Sequence, residues 1–150
     1  MANAEYKYQE ASIIDLNLRW DKNIAENIGD NRWATWKAQC IEDNITGKCK
    51  TFVVLYGADP IGEGTLVFLP EYVEVNALRI DKQHEGKGHI SKLVKIMEQY
   101  AKNQGYNSTT IGVEAKETRN LGIYLHWGYN NFVKSEIEDG CLILYYSKEL

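Results

Sequence analysis

Between Ile80 and Ile90 the chain reads Asp81-Lys82-Gln83-His84-Glu85-Gly86-Lys87-Gly88-His89, two glycines flanking a lysine. An apolar run precedes this stretch and a helical pattern follows it. That arrangement suits an anion, above all a phosphate. Glycines remove the side chains that keep a ligand off the backbone, so successive N–H groups can turn toward one oxygen-rich group. A helix opening just behind them adds unpaired N–H groups and the positive end of its dipole. Two common phosphate loops do not fit. The P-loop pattern fails because Asp81 stands where its first glycine belongs, and the dinucleotide fingerprint fails because Ser91 occupies its third glycine position.

The flanking elements follow from hydrophobic periodicity. Val73, Val75 and Ala77 alternate with Glu74, Asn76 and Leu78, a strand buried on much of both faces. Beyond Gly88, the residues Ile90, Leu93, Val94, Met97 and Ala101 fall at helical spacing, and Gly105 ends the helix. Upstream, "KTFVVLYGADPIGEGTLVFLP" is a hairpin with Asp59-Pro60 as its turn. Before it lie two helices. In the first, Ile13, Ile14, Leu16, Leu18, Ile24 and Ile28 supply the apolar positions, with a break near Trp20–Asp21; the second carries Trp33, Trp36 and Ile41. Downstream come the strand "STTIGVEA", a short helix in "ETRNLGIYLHWGY" stopped at Gly128, and a closing strand "CLILYYSKEL". This order predicts an α/β fold, a mixed sheet with helices on both faces, in a single domain over residues 1–150.

The formal charge of −4 supplies no basic field for nucleic acid or an anionic membrane. A small cationic partner would suit it. No apolar run approaches the ~18 residues of a membrane span, and "MANAEYKYQEAS" has no signal-peptide pattern. Cys40, Cys49 and Cys141 form no metal-binding or redox motif, and His84, His89 and His126 lack ligand spacing. Reduced thiols, a cytoplasmic location and no metal are the expectations.

The run Gln83-His84-Glu85-Gly86-Lys87-Gly88 resembles the Q/R-x-x-G-x-G/A loop of the GNAT superfamily of N-acetyltransferases. A second stretch, "ETRNLGIYLHWGY", is similar to that family's N-x-x-A-x-x-x-Y-x-x-x-G-F signature, with Tyr124, Gly128 and Tyr129 in register. One helix and one strand separate the two, as in the family, and the resemblance covers about residues 50 to 133. Glu117 and Asn120 depart from the signature's asparagine and alanine. Tyr129 replaces phenylalanine, a change expected to matter little for packing.

The resemblance implies a mostly antiparallel sheet splayed at its centre and acetyl-CoA as co-substrate. Gln83, Glu85, Gly86, Lys87, Gly88 and His89 would form the pyrophosphate loop, and Leu78, Arg79 and Ile80 the strand that pairs with the pantetheine arm. It implies acetyl transfer to a primary amine by direct attack in a ternary complex, the acceptor being a small molecule or a peptide. Tyr124 matches the tyrosine that protonates the leaving thiolate. Glu74, four residues before Leu78 and on one face with it and Asn76 by strand alternation, is the candidate base; Glu71 is a weaker rival. An amine with a pKa of about 10.4 is almost wholly protonated at pH 7, so such a base has work to do. Arg119 belongs to a solvated helix face. Trp20, Trp33 and Trp36 anchor their helices to the core, although the resemblance puts those helices beside the acceptor. A homodimer is common in the family. The alternative is a catalytically silent acyl-CoA-binding or interaction module on the same fold.

Overall fold

The computed structural model describes residues 5–26 and 32–150; Ile28, one of the expected apolar positions, lies outside them. In chain order the elements are β1 (Tyr6–Glu10), α1 (Ile13–Glu26), α2 (Arg32–Thr46), β2 (Cys49–Tyr56), β3 (Asp59–Phe68), β4 (Val73–Ile80), a 3-10 turn (Lys82–His84), α3 (His89–Asn103), β5 (Ser108–Glu114), α4 (Thr118–His126), β6 (Asn131–Glu138) and β7 (Cys141–Glu149). The strands form one mixed sheet ordered β1-β2-β3-β4-β5-β7-β6. Every neighbouring pair is antiparallel except β4 and β5. α3 and α4 cover one face, burying Leu93, Val94, Met97 and Ala101 against Phe52, Leu66, Val75 and Ile111. α1 and α2 cover the other. Among the described residues no helix is long and apolar enough to cross a membrane.

Helix ends follow local chemistry. Ser12 Oγ accepts from the Asp15 N–H while Asp15 Oδ2 accepts from the Ser12 N–H, a reciprocal capping box that opens α1. Gly105 and Gly128 adopt left-handed conformations and close α3 and α4 as expected. In each case the following residue's N–H returns to a carbonyl five residues back, Tyr106 to Ala101 and Tyr129 to Tyr124.

Several expectations need correcting. α1 does not break at Trp20–Asp21, because Leu16, Arg19 and Trp20 form one buried stripe through that point. Ile13, Ile14 and Leu18 face solvent instead. The hairpin turns at Gly57-Ala58; Pro60 sits inside β3 beside a bulge, where its missing N–H is tolerated. Two strands escaped the periodicity, β1 and β6. Both are sheet edges, and β6 is exposed along nearly its whole length.

β4 holds the feature that shapes the site. Thr65 pairs with Asn76 but Glu63 pairs with Arg79, so β4 carries one extra residue. Ala77 takes the excess with φ at +53°, its N–H bound by the Asn76 side chain at 2.7 Å. Opposite, a side chain at Gly64 would stand 2.8 Å from Leu78 and 2.9 Å from Met97. The bulge swings Leu78 to the α3 face, so it does not share a face with Glu74 and Asn76. Arg79 takes that place. The parallel pairing with β5 ends at Val75–Ile111, and from there the two strands part.

A Cβ in the left-handed region costs on the order of 1–2 kcal/mol, and a β-branched one more. Ala77→Gly is expected to leave stability unchanged or raise it by up to ~1 kcal/mol, whereas Ala77→Val lowers it by ~1–3 kcal/mol. Thermal unfolding followed by circular dichroism checks the order, and a valine variant as stable as the native chain would contradict the strain.

Candidate active site

Where β4 leaves β5, its free edge runs into the glycine loop. Gly86 and Gly88 have φ of +74° and +78°, and a Cβ added to either meets nothing within 4 Å. Conformation, rather than crowding within the protein, demands glycine here, and the space above the loop is open. The N–H groups of Gly86 through Ser91 form no hydrogen bond among the described residues, and Gly88 caps α3 without any side-chain partner. Six unpaired donors thus cluster at the positive end of a fifteen-residue helix, and five of the residues that carry them line one cleft.

That cleft has a volume of about 370 Å³. Of the expected residues, Leu78, Ile80, Glu85, Gly86, Gly88, His89 and Tyr124 line it together. Arg79 and Gln83 line a second cleft of about 910 Å³ instead, which meets the first along Leu78, Ile80, Glu85 and Asn120. Lys87 and Glu74 line neither. Arg119, read from sequence as a solvated helix residue, is exposed yet borders the first cleft, as do Ile123 and Trp127. Periodicity placed these side chains on a helix, but only the packing of α4 beside α3 reveals which way they turn.

Tyr124 comes from the middle of α4, its ring 5.4 Å from Trp127. Its hydroxyl makes no hydrogen bond among the described residues, and burial raises its pKa above the usual 10. At neutral pH this is a protonated phenol with a free O–H inside the cleft that the glycine loop lines. Tyr129, one turn on, is different. Its hydroxyl donates to Glu98 at 2.7 Å and pairs with Thr109 at 2.8 Å, and Lys148 closes the network at 3.0 Å from Glu98. The exchange of phenylalanine for tyrosine is therefore not a neutral packing change, because the hydroxyl completes a buried polar network.

β1 contributes what the sequence did not disclose. The Tyr8 hydroxyl pairs with His89 Nδ1 at 2.7 Å, the Tyr6 hydroxyl with His84 Nδ1 at 3.1 Å, and the Tyr6 and His89 rings lie 4.1 Å apart. The glycine loop is thereby held at both ends against the edge strand. His89 is 6% exposed, and its Nε2 is buried without a partner. Burial, then Lys92, His84 and Lys87, push its pKa below 6.5.

The opposite face of β4 presents Glu74, Asn76 and Arg79. Burial, with Glu138 and Glu136 of β6 nearby, raises the Glu74 pKa against the lowering effect of Lys134. Arg79 lies over Trp33 and Trp36, 5.5 and 5.0 Å from their ring centres. Below it Glu63 is fully buried, accepting from Arg19 Nε at 3.3 Å and from the Trp20 indole N–H. Trp20 thus anchors to the core, whereas Trp33 and Trp36 are only partly buried.

Comparison with known proteins agrees with this geometry. Residues 16–129 match the family model described as Acetyltransferase (GNAT) family. N-acetyltransferase 8F1 of Rattus norvegicus is 22% identical over 111 residues, 65% of this chain and 50% of that protein. The chain thus spans about half the length of the curated relative it matches. Among solved structures, the PaiA N-acetyltransferase from Thermoplasma acidophilum in complex with coenzyme A has a TM-score of 0.68 at 17% identity, covering 97% of this chain and 99% of that one. A GNAT family acetyltransferase from Elizabethkingia anophelis with acetyl-CoA bound gives 0.65 at 18% identity over 97% and 98%. An N-acetyltransferase from Staphylococcus aureus Mu50 gives 0.74 at 16% identity over 97% and 99%. These likenesses establish a shared fold.

The depressed His89 pKa has a measurable consequence. The unfolded chain takes up a proton near pH 6.5, before the folded one does. Neutral His89 therefore contributes its full stability above about pH 6.5 and loses it as pH falls through its lower folded value. Denaturant midpoints should drop between pH 7 and pH 5, and His89→Gln should flatten part of that slope. Identical slopes in the two proteins would assign the effect elsewhere.

Proposed function

Because the chain belongs to the acetyltransferase (GNAT) family, we propose that it moves an acetyl group from acetyl-CoA to a primary amine by direct attack in a ternary complex. The observation that carries this reading is the free phenol of Tyr124 in the same cleft as the unpaired N–H groups of the glycine loop. Two of the similar structures belong to proteins with coenzyme A or acetyl-CoA bound. The residues here fit such a ligand. Left-handed glycines, open space above them and a set of N–H donors suit a pyrophosphate, whose oxygens accept such hydrogen bonds. The unpaired edge of β4 from Leu78 to Ile80 would hold the extended arm by strand-like pairing. When bound, acetyl-CoA supplies an acetyl group activated as a thioester.

This chain's own groups then have separable tasks. N–H groups at the free edge of β4 stabilise negative charge on the carbonyl oxygen. The amine nitrogen forms the new C–N bond as the C–S bond breaks, and the electron pair leaves on sulfur. Tyr124 gives its proton to that sulfur and regains one from solvent. Burial suits it to the role by keeping the phenol protonated until the moment of transfer. Glu74, which lines neither cleft, would take the amine's proton through intervening solvent. It stands on the α2 face of β4, and its raised pKa makes it a better base than an exposed carboxylate.

Calorimetric titration with acetyl-CoA tests the reading. The native protein should bind saturably, and Gly86→Asp or Gly88→Asp should abolish binding while the fold persists. Tyr124→Phe should lower acetyl transfer by ~10²-fold or more with the acetyl-CoA Kd unchanged. No binding by the native protein would remove the proposal. Full transfer activity in Tyr124→Phe would remove the tyrosine's role.

A further inference from the structure

On the face of β4 turned away from α3, the geometry points to an acceptor site for a free α-amino acid with a large apolar side chain, its carboxylate held by Arg79. This rests on the acyl-transfer reading above and names its acceptor.

Arg79 is the starting point. A guanidinium carries five N–H donors, yet Arg79 makes no hydrogen bond among the described residues, and its Nη1 is buried without one. It approaches Glu63 Oε1 at 3.6 Å, beyond hydrogen-bond reach, and that carboxylate already accepts from Arg19 and Trp20. The neighbouring cations are occupied. Arg19 also pairs with Asp81, and Lys22 pairs with Asp81 at 3.0 Å and Asp59 at 2.7 Å. Two indoles fix the Arg79 plane from the side. With Nη1 turned toward Glu63, the Nε and Nη2 edge of a planar fork remains without hydrogen bonds on a cleft wall, the arrangement that binds a carboxylate in bidentate fashion.

Trp36 joins this fork to a second feature. Besides stacking on Arg79, it lines a cavity of about 600 Å³ with Trp20, Cys40, Val67, Asn76 and Ala77. The size is that of a small-molecule site, and the wall is mostly indole and aliphatic carbon. Cys40 adds to the apolar character, since burial first, then Asp43 and Glu63, push its thiol up to about 11. Between the cavity and the fork lies the β4 bulge at Ala77, next to the free edge proposed to hold the acyl donor.

An α-amino acid carries amine, carboxylate and side chain on one carbon, which matches three features that meet around a single tryptophan. With its carboxylate on Arg79 and its side chain in the cavity, its amine lies toward the bulge, on the face that also carries Glu74. Other amine classes match less. A simple alkylamine leaves Arg79 unmet, a polyamine brings like charge to it, and a peptide N-terminus has no carboxylate beside its amine. The local cation thus decides against the cationic acceptor that the net charge of −4 suggests.

Binding is read by tryptophan fluorescence, with and without saturating coenzyme A, comparing L-phenylalanine with phenethylamine, the same molecule without its carboxylate. L-Phenylalanine should bind at least tenfold more tightly. In Arg79→Gln, and in Arg79→Lys, which keeps the charge but loses the fork, that preference should fall at least tenfold toward unity. In steady-state assays the preference should be lost through KM more than kcat. Equal binding of the two ligands by the native protein, no saturable binding under either condition, or an unchanged preference in both variants overturns the proposal. Acetyl-CoA binding measured alone separates its failure from that of the acyl-transfer reading. A protein that binds acetyl-CoA but no amino acid keeps the chemistry and loses this acceptor.

Discussion

One extra residue in β4 governs the geometry around which everything else is arranged. Without it, strand alternation would put Leu78 beside Glu74 and Asn76, and Arg79 would point into the α3 core. With Ala77 in the left-handed region, Leu78 packs beside Met97 and Arg79 turns to the tryptophans. The strand therefore changes its business at residue 77: before it an ordinary sheet member paired to β5, after it a free edge with one face on each cleft. Gly64 is the counterpart on β3, since any side chain there would collide with both Leu78 and Met97. Bulge and glycine are one device seen from two strands.

The buried carboxylate of Glu63 ties the N-terminal helices to that device. An ion taken out of water costs several kcal/mol unless its partners replace the lost hydration. Here Arg19 and the Trp20 indole supply them from consecutive positions of α1. Arg19 then reaches on to Asp81, at the very start of the glycine loop. Burial pushes the Asp81 pKa up, but Arg19 and Lys22 outweigh it and hold the carboxyl below its ordinary value. The chain of contacts Glu63–Arg19–Asp81 gives α1 a structural task that its apolar residues alone would not, for Ile13, Ile14 and Leu18 face solvent.

What the sequence disclosed follows from how local each signal is. The stripe of Leu93, Val94, Met97 and Ala101 repeats at helical spacing, and the closing glycines at 105 and 128 act within five residues, so α3 and the end of α4 were legible. The loop Gly86-Lys87-Gly88 was legible because its chemistry lies in its backbone. The bulge was not, since alanine is no marker of a left-handed residue, and one hidden residue inverted the face assigned to Leu78 and Arg79. β1 and β6 were invisible for another reason. Edge strands bury little, so Tyr6–Glu10 and Asn131–Glu138 carry no sharp alternation. The Arg79–Trp36 pair is 43 residues apart in sequence, and nothing short of the fold brings it together.

The part of the loop that sequence could not supply explains how two glycines can still define one shape. Glycine permits positive φ but does not select it, and a free glycine loop would have to be ordered at the moment of binding. Tyr6 and Tyr8 remove that requirement by bonding His84 and His89, one on either side of Gly86 and Gly88. The loop's ends are thus fixed by an edge strand while its middle stays bare. Asp81, held by Arg19 and Lys22, secures the approach from β4. Anchors on three sides hold the loop's unpaired N–H groups in place before any ligand arrives, which is the condition under which backbone dipoles bind an anion without paying to reorganise.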